Sequence, residues 1–540
     1  MRIFDTENVM TSCSYTDGNG VKRDLTTEAP LLFGRRDITT NAEVIDASNV
    51  LQELNHALLI HGLNVNEEEY LYWYRRGFQP VLGREKEIRP EINNKVIENH
   101  AEEIVQFKNG YFLTQSAVYI SRSDDEAVAK KVKELNEYLY RSGKALADTK
   151  CSDWFHTVGK GIIFCEPKND KKAPMKVYAL DPRNAFVVYS SRPGHKPMMG
   201  VSIVQDSMNR IVFDVFTDYF YFKCFGGSLS EDMHFEFPLR AIAIDVESSR
   251  PNVSGHVPLI EYRYNLQNES SFEPVLSLMD ALNAVQSDRI DGVDQFIQSL
   301  AVAVNVDFDE GTTINDIRKA GMIVLKSVGD LKADFKILAE QLNQTETQVL
   351  VTYLYQQILT ISGLPSTQKG SRSTSDTGAA VLARDGWYQA DNFARNTTDL
   401  YKESNAYFDE IFVEALRRVG FEIDLGDFEV QIAHNETSNL LVKAQGALNL
   451  KELGLAPEIV LSRSGVSNDP VADVAASKPY IEKAWGMKED GEMIPTNFQE
   501  AQQAQGLEGG NATPANEKGS PKGDWVEGYY RHTVTPDNRG

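Results

Sequence analysis

The sequence predicts an α+β protein, mainly helical and divided into more than one domain. Three observations lead there. At 540 residues the chain exceeds what one hydrophobic core usually serves. One block, 160–265, alternates apolar and polar residues between Gly, Pro, Asn and Asp punctuation, as strands do. On both sides of that block apolar residues recur three or four apart, in two places over stretches unusually long for a globular helix.

Taken in order, residues 1–40 carry scattered charge with little periodicity and read as a loosely held arm. The spacing of Leu51, Leu54, Leu58 and Leu59 predicts a helix over 42–63. A second, over 67–76, groups Tyr70, Trp73 and Tyr74, and a third over 91–109 aligns Ile92, Val96, Ala101, Ile104 and Val105. A charged helix is expected near 124–141, before one antiparallel sheet module at 160–265.

The first of the two long helices is predicted at 272–300. It carries Val275, Met279, Leu282, Ile290, Val293, Ile297 and Leu300 on one side, and at 1.5 Å per residue it spans roughly 40–45 Å. A rotation of about 100° per residue puts Asp280, Asp288 and Asp291 on the opposite, acidic side. A small strand, helix and strand segment follows, then a helix over 345–361 with Leu350, Leu354, Ile358 and Ile361, which stops at Gly363-Leu364-Pro365. The tract STQKGSRSTSDTG has almost no apolar residue and reads as a mobile loop. The second long helix is predicted from a cap at Asp376 or Thr377 to Gly420. A strand, DFEVQIAH, and two or three amphipathic helices over 438–486 precede a polar tail from 487 that is expected to be disordered.

Composition excludes several classes. With 55 Lys+Arg against 78 Asp+Glu, the net charge of −23 argues against a protein that grips nucleic acid along its length, since such grip comes from neutralising phosphates. No apolar stretch is long enough to span a membrane, and no signal peptide is visible, so a soluble protein without membrane contact is expected. The four cysteines form no C-x-x-C pair, the nine histidines are scattered, and neither a phosphate-binding G-x-x-x-x-G-K-[ST] nor an H-E-x-x-H occurs. Asp307-x-Asp309-x-Gly311 falls short of a calcium loop, because Arg318 stands at the bidentate glutamate position. No enzyme, metal or cofactor is expected.

Four groups of words, in order, carry a resemblance. They are YWYRRGFQP (72–80) with REKEIRPEINNK (84–95), ENHAEEIV (98–105) and KNGY (108–111); VPLIEY (257–262) leading into LMDALN (278–283) and Ser287-Asp288; SGLP (362–365) before the polar loop; and LGLAPE (453–458) with SNDP (467–470). This series resembles portal proteins of tailed bacteriophages, in particular siphophages of Gram-positive hosts. Thr114-Gln115-Ser116 departs from the family's usual Gly-Glu/Lys-Pro turn, and the first 40 residues match nothing in it.

The resemblance implies the portal fold, assembled as a ring of typically twelve subunits with a wing, a stem of long helices, a small α/β clip and a helical crown. On this chain it places an arm at 1–40, wing at 41–271, stem helix at 272–300, clip at 301–340, second stem helix at 341–364 and tunnel loop at 365–378. A long wing helix and strand (379–437), the crown (438–486) and a C-terminal tail (487–540) complete it. The implied function is a head–tail connector that nucleates head assembly and passes viral double-stranded DNA in packaging and ejection. Its implied partners are the terminase large subunit, a head–tail adaptor, and scaffolding and major capsid proteins, at the capsid vertex and, during assembly, in the host cytoplasm.

On that view Lys369, Ser371, Arg372 and Ser373 would meet DNA, Asp280, Asp288 and Asp291 would give the channel an acidic face, and Asp309, Glu310, Arg318 and Lys319 would dock motor and adaptor. Two other readings stay open: another virion protein, an adaptor or minor capsid protein, and a terminase-like enzyme. Length disfavours the former and the missing phosphate cradle the latter.

Overall fold

The computed structural model describes residues 34–366 and 386–467, with gaps at 88–89, 114–115, 124, 209, 229–238, 298–299, 305, 308–325, 328–333, 339–343 and 433–439. It also describes the short paired strands β1 (Ser14–Thr16) and β2 (Lys22–Asp24) and a few positions between 470 and 477. The chain forms two compact units, 1–446 and 447–540.

Helix α1 (Val50–Arg75) is one continuous element where the sequence suggested two. The polar residues that interrupt its apolar pattern are partnered within the protein. Asn64 accepts from the Arg36 N–H at 2.9 Å and donates to its carbonyl at 2.8 Å. Glu67 pairs with Arg35 at 3.1 Å and with Arg36 at 2.8 Å. Arg35 is also held at 3.0 Å by Glu273, and β3 (Ile38–Thr40) joins a sheet, so residues 34–40 are built into the core and not into a loose arm.

Helix α2 (His100–Phe112) begins nine residues later than the expected helix start at 91. β4 (Val118–Ser121) and α4 (Lys144–Val158) were not foreseen, whereas α3 (Glu126–Ser142) was. Gly143, at φ 84°, ends one helix and opens the next in a conformation that costs glycine little.

The β-rich block makes two sheets, not one. β3, β7 (Ala185–Ser190), β8 (Pro197–Gln205), β9 (Arg210–Phe216), β10 (Phe220–Ser228) and β11 (Ala241–Pro251) form six strands in the order β11-β10-β9-β8-β7-β3, antiparallel except for the β3–β7 pair. β5 (Lys160–Pro167), β6 (Met175–Leu180) and β12 (Leu259–Arg263) form a second, three-stranded sheet in the order β12-β5-β6. Ile162, Ala185, Val187 and Leu259 fill the space between them. Period-two patterning gives each strand its faces but not the sheet it joins.

A 3-10 turn, Glu273–Val275, leads into α5 (Leu276–Ile297), and α6 (Gln344–Ser362) follows. Between them β13 (Leu300–Val304) pairs antiparallel with β16 (Asp334–Leu338), and β14 (Val306–Asp307) with β15 (Lys326–Ser327). The strand at 334–338 was not anticipated; the expected helix in this segment lies outside the described residues. α7 (Trp387–Arg418) begins after Gly386, and the expected cap at 376 or 377 also lies outside them. β17 (Phe428–Gln431) pairs with β4. α8 (Leu440–Glu452) and α9 (Pro457–Ser464) follow; in the second unit α9 ends at Gly465, φ 64°, and buries Val460.

Among the described residues, the three largest cores hold most of the first unit. α1 packs Leu54, Ala57 and Leu58 on the six-stranded sheet. α3, α4 and α7 enclose Phe155, Tyr401, Phe408 and Phe412 with β5, β6 and β12. The third core, around α5 and α6, positions the candidate site.

Candidate functional site

The α5–α6 pair is anchored at one end. Val275, Met279 and Leu282 pack with Ile358 and Leu359 against Tyr70, Leu71 and Tyr74 of α1 and Ile104 and Val105 of α2. Each fully buried aliphatic side chain contributes about 1.5–3 kcal/mol, so this cluster fixes the root of the pair. Farther along the pair, several apolar side chains are exposed among the described residues. On α5, Ile290 is 43% exposed and Val293 45%; on α6, Val349, Leu350 and Tyr353 are between 45% and 66% exposed. With Thr345 and Glu346 the last three line an open groove.

The acidic side of α5 is in contrast largely covered. Residues 79–87 and 90–99 lie along it as a strap. Asn283 Oδ1 accepts from the Glu98 N–H at 2.8 Å, Ser287 Oγ from the Val96 N–H at 3.0 Å, and Asp291 Oδ1 from the Asn94 N–H at 2.7 Å. Asp294 accepts from Asn94 Nδ2 at 2.7 Å, and Asn283 Nδ2 donates to Gln79. Near the strap's start Arg84 and Lys86 both pair with Asp291, and Arg84 also with Asp288.

The three acids therefore differ. Asp291 is 2% exposed; burial would raise its pKa, but the Lys86 ammonium and Asn94 hold it below the ordinary carboxylate value. Asp280 accepts from the Tyr74 hydroxyl at 2.8 Å, and burial pushes it up to about 6. Asp288 alone of the three is well exposed, at 64%. The rotation that put them on one side of α5 did not reveal the strap, because residues 91–99 carried a helical pattern and were assigned to α2. The polar row Asn283, Ser287, Asp291 at intervals of four was the signal available.

The other expected site residues, Lys369, Ser371, Arg372 and Ser373 and also Asp309, Glu310, Arg318 and Lys319, lie outside the described residues. At the near border of the polar tract, Gly363 sits at φ 73°, and a Cβ there would meet Phe393 of α7 at 2.4 Å, so the end of α6 and the start of α7 touch only because position 363 is glycine.

Sequence reasoning also missed three buried polar groups beside α7, at Lys144, Asp409 and Lys108. Lys144 pairs with Asp148 and donates to the Tyr401 hydroxyl at 2.7 Å. Asp409 accepts from the Tyr119 hydroxyl and, at 3.0 Å, from Asn405 Nδ2, and burial pushes its carboxyl up to about 7. Lys108, buried between the Tyr264 and Phe393 rings and donating to the Tyr264 hydroxyl, is pushed down to about 7. These groups are interior supports: no cluster of three or more His, Cys, Asp or Glu side chains able to hold a metal occurs among the described residues.

A family described as phage portal protein, SPP1 Gp6-like, matches residues 59–474. The chain belongs to the phage portal proteins. The match runs from α1 through α9 and takes in the strap, the α5–α6 pair and the segment between them. Portal proteins are structural, and membership implies a multimeric ring at the virion's portal vertex that meets phage DNA and capsid components. No curated protein matches the chain. Among the described residues no helix is long and apolar enough to cross a membrane.

Proposed function

We propose that this portal chain is the subunit of a twelve-membered ring through which viral double-stranded DNA enters the head in packaging and leaves it in ejection. The observation that carries the reading is the α5–α6 pair. Its root holds a buried core, while Ile290, Val293, Val349, Leu350, Tyr353 and Ile361 remain exposed, an arrangement that a neighbouring copy completes.

Within that reading α5 and α6 are the stem and residues 301–340 the clip, where Asp309, Glu310, Arg318 and Lys319 dock the terminase large subunit and later the head–tail adaptor. The ring nucleates the head together with scaffolding and major capsid proteins. Asp288, exposed on α5, serves the acidic channel face, with Asp280 and Asp291 engaged inside the subunit. The tract 366–378 lines the narrowest passage, and Lys369 and Arg372, with Ser371 and Ser373, make phosphate contacts weak enough for a sliding duplex.

Electron microscopy of the purified protein tests the assembly. A ring with a central hole is expected, and a compact particle without one counts against the reading. The DNA contact is tested by replacing both Lys369 and Arg372 with Glu. Rings and heads should form while packaged DNA falls; full-length packaging by that double variant removes the contact role.

A further inference from the structure

One run of side chains links α5 to α6 by way of the first turn of α2. On α5, Gln286 Nε2 donates to Glu98 Oε1, and the Glu98 N–H donates to Asn283 Oδ1 at 2.8 Å. Glu98 Oε2 lies 3.2 Å from His100 Nε2, and His100 Nδ1 lies 2.6 Å from Glu103 Oε2. The other oxygen of Glu103 accepts from the Tyr355 hydroxyl of α6 at 2.8 Å. The Tyr355 ring also rests on the imidazole, with centroids 4.8 Å apart. Gln286, Glu98, His100, Glu103 and Tyr355 therefore make a continuous polar chain from α5 to α6. Gln286 is about one turn beyond the buried Leu282 and Tyr355 about one turn before the buried Ile358, so the chain crosses toward the outer end of the root.

The middle of this chain depends on a proton. An ionised carboxylate only accepts, so each ring nitrogen must donate, and only the imidazolium carries both N–H groups. Neutral imidazole has one. It turns a lone pair toward one of the two carboxylates, and the chain opens there; the closer contact, at Nδ1, is the one to keep the proton, which leaves the break at Glu98. The position gives a cation no help of its own, since His100 is the first residue of α2 and a helix N-terminus disfavours positive charge. Burial also lowers the pKa of His100, yet the bonds to Glu103 and Glu98 outweigh it and hold the value above the ordinary 6.5. Among the described residues the strap sets Glu98 against the ring and α2 sets Glu103, while Glu102 turns to Arg75. α5 contributes the uncharged Gln286, to which Arg289 donates, and α6 contributes Tyr355, whose hydroxyl is pushed up to about 12 by burial and by Glu103. His100 is the link whose charge changes near neutral pH.

We propose that His100 is a proton-operated clamp between α5 and α6: as imidazolium it joins Glu98, held by α5, to Glu103, held by α6, and on losing the proton it uncouples them. The clamp is fully closed below pH 6.5 and opens as pH rises through the higher value of the folded chain. The root itself does not move. Leu282, Ile358 and Leu359 stay packed, and what changes is how firmly the turns of α6 around Tyr355 are tied to α5. The clamp is a property of the single chain. It goes beyond the ring reading and does not rest on it.

Hydrogen exchange on the purified full-length protein tests the clamp at about pH 6 and about pH 9, read by mass spectrometry on peptides covering 349–357 and corrected for the intrinsic pH dependence of exchange. The unaltered chain should lose protection there by about three- to tenfold at the higher pH. His100→Phe keeps a ring against Tyr355 but carries no proton, and should show the low level at both values. Glu98→Gln should do the reverse. Its amide donates to the neutral Nε2 while its oxygen still takes the bond from Gln286, so the chain closes without a second ring proton and protection stays high at both. Gln286→Ala, at the α5 end, should lower protection of the α6 peptide at the lower pH and make no difference at the higher. Asp280, Lys108 and Asp409 also titrate in or near this range, so the role of His100 is read from the variants together with the unaltered chain. The proposal is overturned if the unaltered chain is equally protected at both pH values, if His100→Phe or Glu98→Gln keeps the full pH response, or if Gln286→Ala acts equally at both. Sedimentation velocity at the two pH values bears on assembly alone, so the clamp and the ring reading fail separately.

Discussion

α7 and the α5–α6 pair are both long helical elements with apolar stripes, and they are finished differently. α7 buries Tyr401, Phe408, Ile411, Phe412 and Leu416 inside its own subunit and satisfies Tyr401, Asn405 and Asp409 with Lys144 and Tyr119. Among the described residues the α5–α6 pair buries its root and leaves six large apolar side chains on the surface, Ile290, Val293, Val349, Leu350, Tyr353 and Ile361. A helix that is part of a domain core closes its own hydrogen bonds and apolar contacts; on the ring reading proposed above, α5 and α6 leave part of their stripe for another copy. The comparison therefore separates residues that should control folding from residues that should control association.

The largest expected effect lies on the finished side. Phe408→Ala or Phe412→Ala opens a cavity in a fully buried cluster and should cost about 3–5 kcal/mol in urea unfolding. Loss below about 1 kcal/mol for both would mean that α7 is not the core element described.

The next effect is one of sign. Asp409 binds its proton more tightly in the folded chain, at about 7, than at the ordinary 3.8. Stability is therefore lost as pH rises through that window, because the unfolded chain gives up the proton first. Asp409→Asn keeps an acceptor for Tyr119 and Asn405 and does not titrate. It should be more stable than the unaltered chain above pH 7, by about 1–3 kcal/mol, with the advantage vanishing near pH 4. Thermal midpoints measured at pH 4, 6 and 8 check this, and an advantage independent of pH would contradict it.

Lys108 gives a smaller effect of opposite sense. Its folded value of about 7 lies below the ordinary 10.5, so its contribution is fully present only above pH 10.5 and is lost as pH falls toward 7. Lys108→Met should narrow the difference in midpoint between pH 9 and pH 6. An unchanged difference would show that the ammonium finds solvent.

Much of this was legible in the sequence. α5 and α6 were placed within a few residues, because their apolar residues recur at helical spacing and Gly363 marks a stop. Individual β-strands were legible from alternation, but their division into two sheets was not, since period two carries no information about partners. The strap was misread as helix because Ile92, Val96 and Ala101 keep helical spacing, while its backbone donors find side-chain acceptors almost 200 residues away. The exposure of Ile290 and Val293 was likewise hidden: an apolar stripe shows that a partner is required and does not say whether it lies in the same chain.

The smallest expected change in folding accompanies the most direct test of the central claim, that α5 and α6 are left unfinished for a neighbouring copy. Sedimentation velocity should compare the unaltered protein with Tyr353→Asp, on the bare face, and Leu282→Asp, in the buried root. The account predicts that Tyr353→Asp sediments as folded monomer, its unfolding midpoint within about 0.5 kcal/mol of the unaltered chain as expected for a surface site, while Leu282→Asp fails to fold. A Tyr353→Asp protein that still sediments as the full ring would contradict it.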